Sequence, residues 1–464
     1  MNHEEKRGKF SGQLGFILAA AGSAVGLGNI WRFPYLAAKD GGGIFILCYL
    51  ILAVTFGFTL LTTEIAIGRK TGQSPLTAYR KIHPKWGGIG GLACLVPVVI
   101  LPYYCSIGGW VFKYLFVYLT GNSEQAVQDG FFTGYITSFP EPIIWMMIYF
   151  GITAFIVYNG VEKGIERYSK ILMPILVVMI IGISVFAMTL KYTDAEGITR
   201  TGLQGLKVYL IPDFEGLTLK KLLVVIMDAM GQLFFSISVA MGIMVAYGSY
   251  AKKETNLMKS INQIEIFDTA IALIAGMMIV PSVFTFMGVE GMSAGPGLIF
   301  VSLPKVFHAM GAVGGIIGAV FFIIVSFAAV TSSVSVMEAI VSSFMDRLGY
   351  SRKKSSLIVT IYALVVGIIV CLGYNYLYFE VTLPNGSVGQ ILDIMDYLSN
   401  NIFMPLVALL ESILIGWIVK PDLIIEEVTQ GKIKFGRRKL YVVMIRFVVP
   451  FMLLVLLLQA VGLF

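Results

Sequence analysis

Eleven stretches of this 464-residue chain are each long and apolar enough to cross a bilayer, and nothing else in the sequence constrains the fold as tightly. A hydrocarbon core roughly 30 Å thick takes about 20 apolar residues of helix. By that ruler the spans fall at about 13–37, 44–67, 88–118, 142–158, 168–190, 222–249, 262–287, 311–345, 356–374, 389–419 and 440–463. Charged residues make up 13% of the chain, against about 25% in soluble proteins, too few to cover a soluble fold of this length. The expectation is an all-α polytopic membrane protein. The first apolar run continues past any plausible signal-peptide core into Trp31 and Pro34, so it reads as a span and not as a cleavable leader.

A net charge of +7 raises the question of nucleic acid, but in a membrane protein the placement of the charges matters more. With an odd number of spans the termini lie on opposite sides. If the N-terminus is cytoplasmic, the inner segments hold Lys6, Arg7 and Lys9, Arg69 to Lys85, Lys163 to Lys170, Lys252 to Lys259, Arg347 to Lys354, and Lys420 to Lys439. The loops at 120–141 and 375–388 hold no Lys or Arg. The positive-inside rule then predicts a multi-pass cell-membrane protein with a cytoplasmic N-terminus, an extracellular C-terminus and no nucleic-acid partner. Cys48, Cys94, Cys105 and Cys371 lie in apolar stretches, and His3, His83 and His308 have no metal-ligand spacing. A membrane enzyme would need His or acids clustered at one depth, and a channel a continuous polar stripe. Neither pattern is present, so no enzyme is expected. The long loops at 191–221 and 288–310, the second carrying Gly295-Pro296-Gly297, read either as flexible outer loops or as a folded cap over a pathway.

The polar residues concentrate instead at two interruptions. Span 1 reads Gly22-Ser23-Ala24-Val25-Gly26-Leu27-Gly28-Asn29, followed by Trp31-Arg32-Phe33-Pro34. Span 6 reads Phe235-Ser236-Ile237-Ser238-Val239-Ala240-Met241-Gly242. Small residues in either span alone are explained by close helix packing. Together they occupy corresponding positions if the chain is five helices, five more and one extra. Interrupted spans at matching positions point to a transporter site at the membrane midplane, where broken helices expose carbonyls for cations and helix N-termini for a carboxylate.

The thirteen residues Gly22 to Pro34 resemble the first-helix signature of the neurotransmitter:sodium symporter family. Gly231 to Ser236, Tyr103-Tyr104, Thr331-Ser332-Ser333, Gly295-Pro296-Gly297, Asp393 and Asp396 also fit, so the resemblance covers nearly the whole chain. It implies one transmembrane domain over 1–464 with a LeuT-type 5+5 inverted repeat. The halves would be about 13–190 and 222–419, helices 1 and 6 would be broken at the midplane, and about 440–463 would form an extra eleventh helix. It further implies a sodium-coupled symporter working by alternating access. The alternative is the same fold run as a proton-coupled or uncoupled transporter of another small amine.

Residue roles carried over from the resemblance are specific. One sodium site is implied at the carbonyls of Gly22, Val25 and Ala328 with the hydroxyls of Thr331 and Ser332; back-bonding of those hydroxyls to their own helix is the alternative. A second would use the Ala24 carbonyl, Asn29, Ser236, the substrate carboxylate and a residue of span 7. Asp268 is taken for that last position although the register is uncertain by one, with a helix-end cap as its alternative. An acid there could supply the charge that chloride supplies in other members, so chloride is not expected to be required.

The substrate carboxylate would meet the amides of Leu27 and Gly28 and the Tyr104 hydroxyl. Its ammonium would meet carbonyls of Ala24, Phe235 and Ser236 and the Ser238 side chain. Ile100, Tyr104, Phe235, Ser238, Met241, Ser332 and Val336 would line the side-chain pocket. With no charge among them, a neutral hydrophobic amino acid, aromatic or branched, is expected. Arg32 and Asp396 would form one gate. Arg7 and Asp346, with Tyr250 nearby, would form the other, unless Arg7 is only a positive-inside anchor. Glu64 would scaffold the break in span 6. Glu411 and Lys113 find no role in this reading.

Overall fold

A computed structural model describes residues 8–292 and 295–463. Among them nine helices are apolar and long enough to cross a membrane: Gly43–Thr71, Pro84–Leu119, Glu141–Tyr158, Val161–Thr189, Leu257–Met287, Gly311–Leu348, Arg352–Leu372, Ile391–Ile418 and Arg438–Ala460. These are spans 2 to 5 and 7 to 11. A tenth, span 1, is the pair Gln13–Ala24 and Gly28–Lys39, bent by 55° at its break. The remaining expected span, 222–249, is two helices, Leu219–Ile237 and Ile243–Tyr250, neither of which crosses alone. The chain is thus an all-helical bundle whose only strands, among the described residues, are two short hairpins.

Large apolar side chains stay exposed on these helices, among them Val178, Ile316 and Phe451, as a lipid-facing surface requires. Inside, span 8 packs along span 3 and against span 1, and the second half of span 6 packs on span 2. The spans that carry the polar sequence therefore sit at the centre.

Both long loops are folded where described. The first contains the hairpin Lys191–Thr193 with Thr199–Thr201 and the helix Gly202–Leu210, opened by a Thr201/Gln204 capping box. The second contains the helical segment Leu298–Ala309, packed on the start of span 8. The cap-like alternative describes them better than a flexible loop.

Candidate functional site

Span 1 ends at Ala24, passes through an extended Val25 and restarts at Gly28. The close approach of neighbours fixes glycine at two of these positions. A Cβ on Gly26 would stand 2.8 Å from the Ser332 hydroxyl, and one on Gly28 would stand 2.3 Å from the Phe235 ring. In span 6, Ser238 and Ala240 hold φ of 54° and 61°. Side chains rarely adopt this left-handed backbone unless their surroundings impose it. Glu64 is one such constraint: its Oε1 accepts from the Ala240 amide, one of the donors that the break frees.

The breaks face each other across a small pocket. Leu27, Ile100, Tyr104, Phe235, Ser238, Met241, Ser332 and Val336 line it, all of them expected from the sequence, together with Ser23 and Gly26. Ala24, Gly28 and Ser236 do not line it. About 30 Å³ remains between these walls. Serine hydroxyls satisfy the span 1 carbonyls here: Ser238 and Ser332 each donate to the Ser23 carbonyl at 3.0 Å, and Ser332 also reaches the Val25 carbonyl at 3.4 Å. The Tyr104 hydroxyl is buried beside the Ser332 hydroxyl and the Leu27 amide, without a well-formed hydrogen bond to either.

Two oxygen-rich clusters flank the pocket. In one, Thr331 donates to the carbonyls of Phe327 and Ala328 at 3.0 and 3.1 Å, back-bonding on its own helix, while Ser332 crosses to span 1. A Cβ on Gly22 would lie 3.4 Å from the Cβ of Thr331, so these groups converge. All five oxygens proposed there are neutral, a donor set that suits a hard monovalent cation.

In the other cluster Asn29 Nδ2 donates to Ser236 at 3.0 Å and to Asp268 Oδ1 at 2.9 Å. Ser236 donates to both Asp268 oxygens at 2.8 and 2.9 Å. Tyr49 donates to Ser236 and Asp268 at 3.0 and 3.3 Å. Asp268 lies inside the helix Leu257–Met287 and is fully buried, so it caps no helix end. Sequence reading missed Tyr49, which sits in an ordinary aromatic run with Phe33 and Phe45.

Next to the pocket lies a polar vestibule of about 570 Å³, lined in part by Arg32, Asp228, Asn385, Asn400 and Gln459. Phe235 lines both spaces. Arg32 and Asp396 lie close enough for their charges to act on each other but are not in direct contact, and Asp396 Oδ1 accepts from Asn400 at 2.6 Å and Tyr103 at 3.1 Å. Lys39 pairs with Asp228 at 3.0 Å, and the carboxyl of adjacent Asp40 is pushed up to about 6 by burial and by the charge of Asp228.

At the opposite end Arg7 lies outside the described residues, and Asp346 accepts the Ser74 amide at 2.6 Å. The Tyr250 hydroxyl donates to Glu338 at 2.5 Å. Glu338 in turn receives Arg352 through both guanidinium nitrogens at 2.7 and 2.9 Å. This buried latch ties spans 6, 8 and 9, and its acid, one charge in a serine-rich helix, was passed over in the sequence. Glu411 receives the Tyr79 hydroxyl at 2.6 Å, and Lys113 pairs with Glu141 at 2.5 Å, which accounts for both charges left without a role.

Comparison with known proteins bears on this arrangement. The model of the sodium:neurotransmitter symporter family matches residues 7–127 and 135–464. An uncharacterized sodium-dependent transporter of Bacillus subtilis is 33% identical over 99% of each chain. The human sodium- and chloride-dependent GABA transporter 2 is 26% identical, over 89% of this chain and 73% of its own. The crystal structure of MhsT in complex with L-phenylalanine superposes with a TM-score of 0.85 at 35% identity, covering 98% of this chain and all of that one.

Proposed function

The chain belongs to the sodium:neurotransmitter symporter family, and from that membership we infer a sodium-coupled symporter whose substrate is a neutral, hydrophobic amino acid, aromatic or branched. Sodium-dependent transport is the family's activity; the substrate class is our reading. One observation carries it: the pocket between the two helix breaks has apolar and hydroxyl walls and no charged side chain. A zwitterion can be held there by the backbone ends and hydroxyls, whereas a charged side chain would lie unpaired in a low-dielectric interior. That the solved relative is in complex with phenylalanine supports the same reading.

In this scheme the amides of Leu27 and Gly28 and the Tyr104 hydroxyl take the carboxylate. Carbonyls of Ala24, Phe235 and Ser236, with Ser238, take the ammonium. One sodium ion is held by Gly22, Val25, Ala328, Thr331 and Ser332. A second is held by Ala24, Asn29, Ser236 and Asp268 with the substrate carboxylate, which makes ion and substrate binding reciprocal. Asp268 supplies negative charge within the protein, so chloride is not required. Because about 30 Å³ cannot hold an amino acid, Met241, a flexible side chain, and the Phe235 ring must move to admit one. The N-terminus is cytoplasmic and the spans form two five-helix repeats.

The test is binding of a labelled amino-acid panel to purified protein in sodium and in potassium. The expected result is binding of hydrophobic amino acids in sodium only, abolished by Asn29→Ala or Thr331→Ala. Equal binding in both salts overturns the coupling and puts a proton-coupled or uncoupled carrier in its place.

A further inference from the structure

Away from the pocket and vestibule, the end of span 4 and the start of span 9 leave a groove of about 710 Å³ between them. Gly151 and Ala154 make its floor. Phe155 and Leu357 flank it with 58% and 59% of their surface exposed, too much apolar area to face water. Its other end is basic: Lys353 and Lys354 line it, both exposed, and neither has an acidic partner among the described residues. Lys353 stands 5.7 Å over the Tyr158 ring, an amine and an aromatic at the ends of two spans, where interfacial anchors belong.

Ser356 lies in the same wall, only 2% exposed, and its hydroxyl has no hydrogen-bond partner among the described residues. A buried hydroxyl without a partner is costly, and here it borders a groove that also presents two ammonium groups. The three features call for an occupant that is apolar at one end and an anionic oxygen acceptor at the other.

We propose that the groove between spans 4 and 9 binds one anionic phospholipid, its phosphate held by Lys353, Lys354 and Ser356 and an acyl chain lying along Gly151 and Ala154. A zwitterionic lipid fills the apolar part equally well but carries its own cation next to the two lysines, so charge selects the anionic lipid. The headgroup then sits beside Arg352, the residue that closes the latch onto Glu338 and Tyr250.

The experiment is native mass spectrometry of the purified full-length protein titrated with phosphatidylglycerol or phosphatidylcholine. Wild type should retain one phosphatidylglycerol at about thirtyfold lower concentration than phosphatidylcholine, the ratio expected for two lysines near an anionic headgroup. Lys353→Ala with Lys354→Ala should erase that preference. Gly151→Leu should also weaken retention, by filling the floor; a Cβ there meets no atom within 4 Å, so the new side chain starts in open space. The paired change Lys432→Ala with Lys434→Ala, in a different loop, should leave the preference intact. Equal preference in wild type and both groove variants overturns the site. So does equal loss in the groove and loop lysine pairs, which would mean bulk surface charge only.

Discussion

Asn29 and Asp268 lie 239 residues apart in sequence and meet in the centre of the bundle, where the Asn29 amide donates to the Asp268 carboxylate at 2.9 Å. The contact joins the break of span 1 to the middle of span 7, and Ser236 completes the triangle from span 6. A buried carboxyl group thus lies among the groups proposed to hold a sodium ion.

Replacing that charge with an isosteric amide tests its part in ion binding. Asp268→Asn should weaken sodium-dependent amino-acid binding by about tenfold or more in chloride-free buffer, since hydrogen bonds to a charged group contribute about 1.5–3 kcal/mol. Added chloride should restore much of the loss, while wild type should bind equally in sodium chloride and sodium gluconate. A chloride requirement in wild type would refute the assignment.

Gly28→Ala probes the closest approach between the broken spans. Its methyl group would start 2.3 Å from the Phe235 ring, and overpacking of this kind costs about 1–3 kcal/mol. Substrate affinity should fall by about tenfold, and the melting temperature should fall with it. The check is a saturation binding curve in sodium for both proteins.

The role of Glu64 separates by the variant chosen. Glu64→Gln keeps an acceptor for the Ala240 amide and should retain most binding. Glu64→Ala leaves that buried donor unpaired, at a cost of about 1–3 kcal/mol, and should lower both melting temperature and binding. Thermal unfolding followed for the two variants side by side decides it; equal behaviour would deny the hydrogen bond any importance.

Asp40 predicts a pH dependence of stability. Its carboxyl is raised from an ordinary 3.8 to about 6, burial and then Asp228 outweighing the opposing charge of Lys39. The folded protein therefore holds a proton that the unfolded chain releases. This contribution to stability is fully present below about 4 and is lost as pH rises through about 6. The difference in melting temperature between wild type and Asp40→Asn should change across that window and flatten above it.

Much of this was legible in the sequence because lipid removes alternatives. A long apolar run has few folds open to it, and three glycines followed by Asn29 and Arg32 mark an interrupted helix. The pocket walls from Leu27 to Val336 could be named because the motifs near them resemble those of a known family. What escaped were partners supplied by distant elements. Tyr49 and Glu338 each make their hydrogen bonds across the bundle, and neither stands out locally from aromatic or serine-rich neighbours. The wide helical turns at Ala53–Gly57 and Tyr397–Phe403 rotate the residues that follow them without any Gly-Pro signal. Nor could the sequence show that Asn400 and Tyr103 would donate to Asp396 and stand beside the Arg32 charge.

The Phe235 ring is a wall of the pocket and of the vestibule at once. A molecule lodged in the vestibule against Phe235 would touch the same ring that the proposed substrate displaces, so filling one space would bear on the other. By reciprocity, whatever factor a vestibule ligand imposes on substrate affinity, the substrate imposes on that ligand. A single aromatic ring would then be the coordinate that the two spaces share.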